Sequence, residues 1–330
     1  MTKILSLFMP LIFCTLICPW NTQAADTIKV LILNDVYSRI PSKNEKIVRL
    51  GSAHGDLLLS GTHYTGNIEV WRGDNGIYLI NELPLEEYIR DVVAVEVKPE
   101  WDMEALKAQA VVSRTYALYH RKMNGGSSYH IASSILNQVY RGNRPDLRVS
   151  YAVENTNGEI LTYNGRPIEA FYHSTCGGKT EDAEEVFGKS YPFLKPVESP
   201  CTLSPYSTWE REIPAKEIAQ ALNMSGIHDI SIKSFTSTKR IKQLDITHYS
   251  GVSCVSATEF RKALGWNRLP STKFTVRKHQ NTFIFEGKGY GHGVGLCQWC
   301  ALEMAADGKD YKEILSFFYP GTTLERYESY

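Results

Sequence analysis

The hydrophobic period of the chain changes at Pro84, and no other feature limits the fold as strongly. Between Thr27 and Ile80, short apolar runs alternate with glycines, which is typical of strands joined by tight turns. From Pro84 to about Val97, the apolar residues recur with helical spacing, and proline suits the first turn of a helix. A block of strands followed by helices favours an α+β fold.

Start and stop signals predict the other elements. Asp102 is a good N-cap for a helix from Met103 to Met123, which Asn124-Gly125-Gly126 would end. Further helices are predicted near 146–155, 215–222, 257–264, 294–307 and 311–318, and further strands near 159–163, 168–172 and 230–247. We divide the chain into residues 1–24, a β-rich N-terminal segment at 25–82 and a main domain at 83–330, with an insertion at about 204–280.

Residues 1–24 have the pattern of an export signal. Lys3 is the only charged residue, an apolar stretch follows it, and Ala24 ends a small-residue cleavage pattern. The stretch is short for a membrane span. Lipidation at Cys14 or Cys18 is the alternative, but the residues before Cys18 are bulkier than those of an ordinary lipobox. We expect an exported protein, periplasmic or facing the cell wall, without a stable transmembrane segment.

The charge balance argues against nucleic acid as the main partner. The chain carries 36 basic and 36 acidic residues, and removal of Lys3 with the export signal leaves 35 against 36. Phosphate binding usually needs a basic excess. The aromatic content of 11% suits a sugar-facing surface, although it also suits an ordinary β-rich core.

A single acid lies inside the apolar run Val92–Val97. Glu96 is surrounded by aliphatic residues, and Pro99 and Trp101 follow it. A carboxylate in such surroundings loses hydration, so its pKa should rise, and a carboxyl group protonated near neutral pH can donate a proton to a leaving group. The plainer interpretation is a helix-end glutamate whose head group lies in water.

Four segments in a fixed order carry a resemblance to a known family. They are Leu83–Tyr88 continuing through Val95–Ala117, then Gln138–Gly142, Phe171–Gly178 and Gly289–Gln298. Each motif is weak by itself. Together they resemble the stage-II sporulation protein D family, also called SpoIID/LytB, from about Leu83 to Leu324. Residues 83–330 would then be the catalytic domain of that family.

The resemblance implies a peptidoglycan lytic transglycosylase with mixed helices and antiparallel strands around a glycan cleft. Such an enzyme cleaves the MurNAc-GlcNAc β-1,4 bond of denuded strands, which lack stem peptides. Glu96 takes the position of the catalytic acid. One carboxyl group can suffice, because the muramyl 6-hydroxyl attacks its own anomeric carbon and forms a 1,6-anhydro-MurNAc end. A glycosidase that uses water generally needs two carboxyl groups.

The resemblance also implies the partners and an alternative function. The partners are peptidoglycan glycan strands and a cell-wall amidase that acts upstream. The alternative is a non-catalytic protein that binds denuded glycan and enhances such an amidase, as the family's other name, amidase enhancer, suggests. A muramidase that uses water is a third hypothesis, and it would leave reducing ends.

Seven further residues are candidates for binding the glycan. They are Arg114, Gln138, Tyr140, His173, Ser174, His292 and Gln298. Alternating glycines between Gly289 and Gly295 would let a ligand approach the backbone, although their spacing is not that of a dinucleotide or phosphate loop. His292 on this loop is expected to bind sugar hydroxyls or to orient Glu96, although a lone loop histidine is more often structural.

Arg114 belongs to a stripe with Lys107 and Arg121, and such a stripe is typical of a solvated helix face. Denuded glycan exposes the lactyl carboxylate of muramic acid, which a guanidinium can bind through two parallel hydrogen bonds. Arg114 would then favour peptide-free strands. Alternatively, Arg114 pairs with Glu96 or another acid, and pairing with Glu96 would lower the pKa of that acid.

Five cysteines follow the export signal, and their odd number leaves at least one unpaired in an oxidising compartment. They are Cys176, Cys201, Cys254, Cys297 and Cys300. The resemblance places Cys176 and Cys297 near the cleft, and a disulfide of Cys176 with Cys201 or Cys297 is expected first. We expect no cofactor. The alternative is a zinc site formed by the thiolates of Cys176, Cys201 and Cys297.

Two other cysteine-based sites are not favoured. Cys297 and Cys300 have the spacing of a redox motif, but no thioredoxin-like βαβ unit is predicted around them. Some family members bind a metal through Cys and His just before the Gln-Val-Tyr motif. Residues 131–137, which occupy that place here, contain neither residue type.

Overall fold

The computed structural model describes residues 26–32, 40–41, 45–59, 61–134 and 137–327. The predicted export signal, residues 1–24, lies outside the described residues. None of the helices within these ranges has the length and apolarity that crossing a bilayer requires.

The helices and strands of the described ranges are numbered in chain order. The helices are α1 Leu85–Glu96, α2 Met103–Met123, α3 Leu147–Asn155, α4 Ala183–Phe187, α5 Ala215–Leu222, α6 Ala257–Leu264, α7 Gln298–Ala306 and α8 Tyr311–Phe318. The strands are β1 Thr27–Leu31, β2 Val48–Leu59, β3 Thr62–Gly73, β4 Gly76–Pro84, β5 Ile131–Ala132, β6 Glu159–Tyr163, β7 Arg166–Pro167, β8 Tyr172–His173, β9 Gly178–Lys179, β10 Glu198–Ser199, β11 Trp209–Pro214, β12 Ile227–Phe235, β13 Ile241–His248, β14 Gly251–Ser256, β15 Phe274–His279, β16 Thr282–Gly287, β17 Leu296–Cys297 and β18 Thr323–Arg326.

A five-stranded sheet near the N-terminus determines where α1 begins. Its order is β2-β3-β4-β1-β5, and all its pairs are antiparallel except β1 with β5. Pro84 is the last residue of β4 and also the N-cap of α1. The sheet therefore directs α1 into the main core, and Glu96 lies at the far end of this helix.

Helix α2 is the centre of the main core. Asp102 caps it as predicted, because its side chain accepts a hydrogen bond from the Glu104 N–H at 2.8 Å. Buried alanines let neighbouring helices approach closely: α1, α3, α7 and α8 all pack against α2. This packing brings the end of α1 next to the start of α7.

The charged stripe of α2 is packed and paired, which corrects the prediction of a solvated face. Arg114 is fully buried, and the side chains of Lys107 and Arg121 are about one-fifth exposed. Each base has an acidic partner within 3.1 Å; the pairs are Lys107–Glu104, Arg114–Glu86 and Arg121–Asp26. Other elements cover α2 on this side, so the charges are neutralised locally.

Residues 209–285 contain a second hydrophobic core, separate from that around α2. It lies between the sheet β11-β16-β15, the sheet β12-β13-β14 and the helices α5 and α6. Phe260, Phe283 and Phe285 are fully buried in it. This core occupies most of the segment that the sequence analysis treats as an insertion.

The α+β class is confirmed, and α2 and α8 have the bounds that the sequence predicts. Two elements are shorter than predicted. The last helix but one begins at Gln298 rather than near 294, since Gly293 and Gly295 adopt left-handed φ angles. The strand expected at 168–172 is only the short β8, which pairs in parallel with β17.

Candidate active site

Glu96 is the last residue of α1, and the chain becomes extended directly after it at Val97. Val92, Val93 and Val97 are buried, whereas Glu96 is only partly buried. The carboxyl group is therefore held at the edge of an apolar core, as the sequence pattern indicates.

Burial raises the pKa of the Glu96 carboxyl group above its ordinary value. Hydrogen bonds oppose this shift. The Val139 N–H donates to Oε1 at 2.8 Å, and the side chains of Tyr172 and Gln298 also lower the pKa. Because burial is the larger effect, the protonated form persists to a higher pH than in an exposed glutamate. The bond from Val139 also fixes the position of Oε1.

Gln298, the first residue of α7, connects Glu96 to α2. Its Nε2 lies 3.4 Å from the backbone carbonyl oxygen of Glu96 and 3.3 Å from Oε1 of Gln109. Gln109 in turn donates to the Ser113 hydroxyl at 3.0 Å. Gln298 is 5% exposed, so most of its side chain serves this internal network. The structure thus places Gln298 beside Glu96, and its role as a glycan contact stays a prediction.

Gln138 is fully buried and supports the site from within, which corrects its prediction as a glycan contact. Its Nε2 donates to the carbonyl oxygen of Ser113 at 3.2 Å, and its Oε1 accepts from the Tyr88 hydroxyl at 3.1 Å. These bonds hold the loop whose next residue, Val139, donates to the Glu96 carboxyl group.

Tyr140 and Arg114 lie inside the core, which corrects two further predictions. Tyr140 is 1% exposed, and its hydroxyl donates to Asn81 Oδ1 at 2.6 Å. Arg114 is fully buried, and its Nε and Nη2 donate to the two carboxylate oxygens of Glu86 at 2.7 Å each. Its remaining contacts are backbone carbonyl oxygens. The guanidinium thus pairs with neither Glu96 nor a surface ligand.

The backbone holds His292 through both ring nitrogens. Nδ1 accepts from the Val294 N–H at 3.0 Å, and Nε2 lies 2.9 Å from the Tyr172 carbonyl oxygen. The proton must therefore be on Nε2. Burial lowers the pKa of His292 to about 3, so the ring is neutral. This geometry favours the structural alternative, and a sugar-binding role for the partly exposed His292 stays a prediction.

His173 and Ser174 remain candidates for ligand contact. His173 Nδ1 lies 3.1 Å from the Val294 carbonyl oxygen, and Nε2 is buried without a hydrogen-bond partner among the described residues. Burial lowers the pKa of His173 well below its usual value, so Nε2 can act as an acceptor. Ser174 is partly exposed, and its hydroxyl contacts that of Thr175 at 3.3 Å.

Tyr172 is the neighbour of Glu96 that the sequence analysis missed. Its hydroxyl is buried and has no hydrogen-bond partner of ordinary geometry within the described part of the chain. Burial, followed by the nearby Glu96, raises the pKa of Tyr172 well above its usual value, so the hydroxyl stays protonated and can donate. With 19 tyrosines in the chain, one tyrosine before the His-Ser motif gave little signal.

Two surface hollows lie away from Glu96. One, of about 530 Å³, lies between α2, β6 and β18, and the other, of about 660 Å³, lies against β2, β3 and β4. Glu96 lines neither hollow. The candidate active site is therefore identified by the environment of its carboxyl group and not by the depth of a cavity.

Four cysteines converge behind the elements that carry Tyr172 and Gln298. The sulfur atoms of Cys176, Cys201, Cys297 and Cys300 all lie within 4.8 Å of one another, and all four residues are buried. A disulfide joins Cys201 and Cys300, with Cα atoms 5.2 Å apart, while Cys176 and Cys297 are free. This corrects the expected pairing of Cys176 and adds Cys300 to the predicted thiolate set.

Comparison with known proteins supports the resemblance found in the motifs. The sequence profile of the family described as Stage II sporulation protein matches residues 73–163. Residues 204–295, which include the second core, match a domain of unknown function (DUF8618).

Three relatives extend the similarity over most of the chain. An uncharacterised protein of Brachyspira hyodysenteriae (strain ATCC 49526 / WA1) is 35% identical over 82% of this chain and 74% of its own length. Stage II sporulation protein D of Bacillus amyloliquefaciens is 31% identical over 80% of both chains. The amidase enhancer of Bacillus subtilis (strain 168) is 31% identical over 72% of this chain, but only 40% of its own length is covered. On this sequence similarity, the chain belongs to the stage II sporulation protein D family.

Proposed function

We propose that this protein is a peptidoglycan lytic transglycosylase in which Glu96 is the single catalytic acid and base. The observation that carries the proposal is the carboxyl group of Glu96, whose pKa burial raises and whose Oε1 is held by the Val139 N–H. The relatives named stage II sporulation protein D and amidase enhancer support an action on cell wall.

The proposed reaction needs no water and no second carboxyl group. Glu96 donates its proton to the glycosidic oxygen between MurNAc and GlcNAc, and the bond from that oxygen to the anomeric carbon breaks. The 6-hydroxyl of the same MurNAc then attacks the anomeric carbon and transfers its proton to the Glu96 carboxylate. The products are a 1,6-anhydro-MurNAc end and a new GlcNAc end, and Glu96 returns to its starting state.

Tyr172 and Gln298 fit supporting roles in this reaction. Both side chains lower the pKa of Glu96 and therefore stabilise the carboxylate formed after the first proton transfer. The Tyr172 hydroxyl, which lacks a partner among the described residues, can also donate to a sugar oxygen beside Glu96. The proposed preference for denuded strands follows from the family resemblance, since Arg114 is buried away from the site.

The proposed setting is outside the cytoplasm, in the periplasm or facing the cell wall. Peptidoglycan lies there, and the pattern of residues 1–24 supports export. We also propose the 83–330 region as the catalytic domain, with about 204–280 inserted into it.

Substitution of Glu96 by glutamine tests the proposal. Glu96→Gln keeps the size of the side chain and an acceptor for the Val139 N–H, but it cannot donate the proton. Purified wild-type protein should release anhydro-MurNAc products from amidase-treated sacculi, as measured by mass spectrometry. Glu96→Gln should reduce this release by at least about a hundredfold. Glu100→Gln, which changes an exposed acid nearby, is the matched control and should retain activity.

The same experiment distinguishes the second candidate, a non-catalytic protein that enhances an amidase. This candidate rests on one relative, named amidase enhancer, that is 31% identical and of which 40% is covered. It predicts that wild-type protein binds denuded strands without producing new anhydro or reducing ends. Reducing ends instead of anhydro ends would indicate a muramidase. Unchanged product release by Glu96→Gln would refute the assignment of Glu96.

A further inference from the structure

We infer that Cys176, Cys201, Cys297 and Cys300 together bind one Zn²⁺ ion through four thiolates. This site is separate from the proposed glycan chemistry and would be structural. Its ligands come from three distant parts of the chain: the loop after β8, the segment after β10, and the start of α7. The ion would bind the fully reduced cluster, in place of the Cys201–Cys300 disulfide, and four thiol protons would be released. Binding to the disulfide form would first need a dithiol reductant to supply two electrons.

The positions of the sulfur atoms suit a single ion. Cys176 Sγ lies 2.9 Å from Cys201 Sγ and 3.6 Å from Cys300 Sγ, and Cys201 Sγ lies 3.3 Å from Cys297 Sγ. A tetrahedral zinc ion with bonds of about 2.3 Å holds its sulfur ligands roughly 3.8 Å apart, which small side-chain rotations would achieve here. An iron–sulfur cluster of several irons would need a wider spacing.

Backbone N–H groups point at the sulfur atoms, as they do in many metal–thiolate sites. The Cys176 N–H donates to Cys297 Sγ at 3.2 Å. The backbone N–H groups of Gly178 and Cys300 also lie near the sulfurs of Cys176 and Cys297, respectively. Gly177 and Gly178 adopt φ angles of +72° and +102°, which allow the tight turn around Cys176. These donors stabilise negative charge on sulfur.

A buried arginine supplies the opposite charge. Four thiolates and one Zn²⁺ ion carry a net charge of minus two, which is costly inside a protein unless it is compensated. Arg240 is 1% exposed, and its Nη2 donates to the Cys176 carbonyl oxygen at 2.7 Å. Its Nε and Nη1 have no hydrogen-bond partner among the described residues. Lys273 is also close, with Nζ 2.9 Å from the Gly177 carbonyl oxygen.

A zinc ion explains the four buried sulfur atoms and the nearby buried arginine better than a single disulfide does. A Cys201–Cys300 disulfide is neutral, and it leaves the buried thiols of Cys176 and Cys297 beside a buried guanidinium. One zinc ion uses all four sulfurs, and Arg240, which also has the buried Glu181 near it, offsets part of the negative charge of the site. In the reduced cluster without metal, the thiols of Cys176 and Cys300 could donate to the Ser199 carbonyl oxygen, which lies 3.3 and 3.7 Å away.

The ion would stabilise the elements behind the candidate active site. Cys176 lies three residues after His173 at the end of β8, and Cys297 directly precedes Gln298. The short parallel pair β8–β17 contains only two residues in each strand, so its own hydrogen bonds contribute little stability. A metal that links both strands would hold Tyr172 and Gln298 in place.

Metal analysis of the full chain tests this inference. The protein is purified under reducing conditions with no metal-binding tag and analysed by inductively coupled plasma and native mass spectrometry. One zinc ion per chain is expected. Cys254→Ser, which changes an exposed cysteine outside the cluster, should keep the full zinc content. Cys176→Ser and Cys297→Ser should each lose most of it.

Thermal unfolding gives a second measurement. A strong chelator should lower the melting temperature of wild type and of Cys254→Ser by roughly 5 °C or more, and should not change that of Cys176→Ser. If the serine variants do not fold, metal analysis of the wild type decides alone. The inference fails if native mass spectra show disulfides and no zinc, if iron replaces zinc, or if Cys176→Ser binds zinc like the wild type.

Discussion

Glu86 occupies the Nε–Nη2 edge of the Arg114 guanidinium, and backbone carbonyl oxygens accept the other hydrogen bonds, so Arg114 does not pair with Glu96. This separation matters for the proposed chemistry. A guanidinium next to Glu96 would hold that carboxyl group ionised at neutral pH, whereas burial without a paired cation raises its pKa. Glu96 and Arg114 belong to the same sequence motif, but Arg114 is paired with an acid, whereas Glu96 has no paired cation within the described ranges.

Arg114→Lys tests the structural role of this arginine. Lysine replaces two parallel hydrogen bonds by one and leaves buried acceptors unsatisfied, so the free energy of unfolding should fall by about 2–4 kcal/mol in chemical denaturation. Binding of denuded glycan by the folded variant should not change. Arg121→Lys alters a more exposed pair on the same stripe and should cost less than about 1 kcal/mol. If Arg114→Lys is as stable as the wild type but binds glycan more weakly, Arg114 is a glycan-binding residue and its structural role is refuted.

At the scale of elements, the glycine loop before α7 explains why the helix begins late. The four alternating glycines from Gly289 to Gly295 have positive φ angles, and His292 accepts the Val294 N–H and bonds to the Tyr172 carbonyl oxygen. The loop thus holds β17 against β8. Glycine permits a close approach here between two protein segments, and a ligand is not needed to explain it.

Gly295→Ala should disrupt this contact. A Cβ atom at Gly295 would overlap the carbonyl oxygen of Phe171, which accepts the Leu296 N–H, and φ is +72°. Gly188→Ala is the matched control, because its φ is +69° and a Cβ atom there meets open space. The control should lose about 1–2 kcal/mol of unfolding free energy from backbone strain alone. Gly295→Ala should lose clearly more and should also reduce glycan cleavage; equal losses would contradict the packing argument.

At the scale of the whole molecule, buried ionisable groups make stability depend on pH. Burial lowers the pKa of His292 to about 3 and of His130 to about 4. The unfolded chain binds protons at these histidines below about pH 6.5 while the folded chain does not, so they lower stability as the pH falls. Burial raises the pKa of Asp91 to about 7, and that of Glu96 is also raised. Asp91 and Glu96 therefore raise the stability of the folded chain as the pH falls.

Asp91→Asn isolates one contribution to this profile. Between about pH 4 and pH 7, folded Asp91 holds a proton that the unfolded chain has released, so its contribution to stability falls with rising pH by at most about 1.4 kcal/mol per unit. Asparagine can still accept the Arg144 N–H. Chemical denaturation across this range should show that the free energy of unfolding of Asp91→Asn rises relative to that of the wild type as the pH rises. Above pH 7 the difference between the two proteins should stay constant. Asp229→Asn changes an exposed acid, and its free energy of unfolding should follow that of the wild type at every pH. A difference between Asp91→Asn and the wild type that does not change with pH would contradict the argument.

The two hydrophobic cores meet at polar contacts near the cysteine cluster. Residues 209–285, which contain the second core, are called the second region. From this region Arg240 donates to the Cys176 carbonyl oxygen, and Thr236 and Thr238 both donate to Glu181 at 2.6 Å. The Trp209 indole also donates to the Gly289 carbonyl oxygen at 2.9 Å. The second region therefore supports both the glycine loop and the cysteine cluster.

Much of the local structure could be predicted from the amino-acid order alone. The change of period at Pro84, the Asp102 cap and the bounds of α2 and α8 depend on interactions within a few residues, which the sequence displays directly. The α+β class and the family follow from the order of such elements and motifs. The raised pKa of Glu96 was also predictable, because its aliphatic neighbours are adjacent in the chain.

Only the tertiary structure decided the partners of the polar residues. Arg114 meets Glu86 across 28 positions, His292 meets Tyr172 across 120, and Cys176 meets Cys300 across 124. A side chain of this kind can be satisfied by any complementary group that packing brings near, so its residue type does not determine which group that is. The sequence by itself therefore determined the elements and the candidate acid, and the packing of α1, β8 and α7 decided which neighbours surround it.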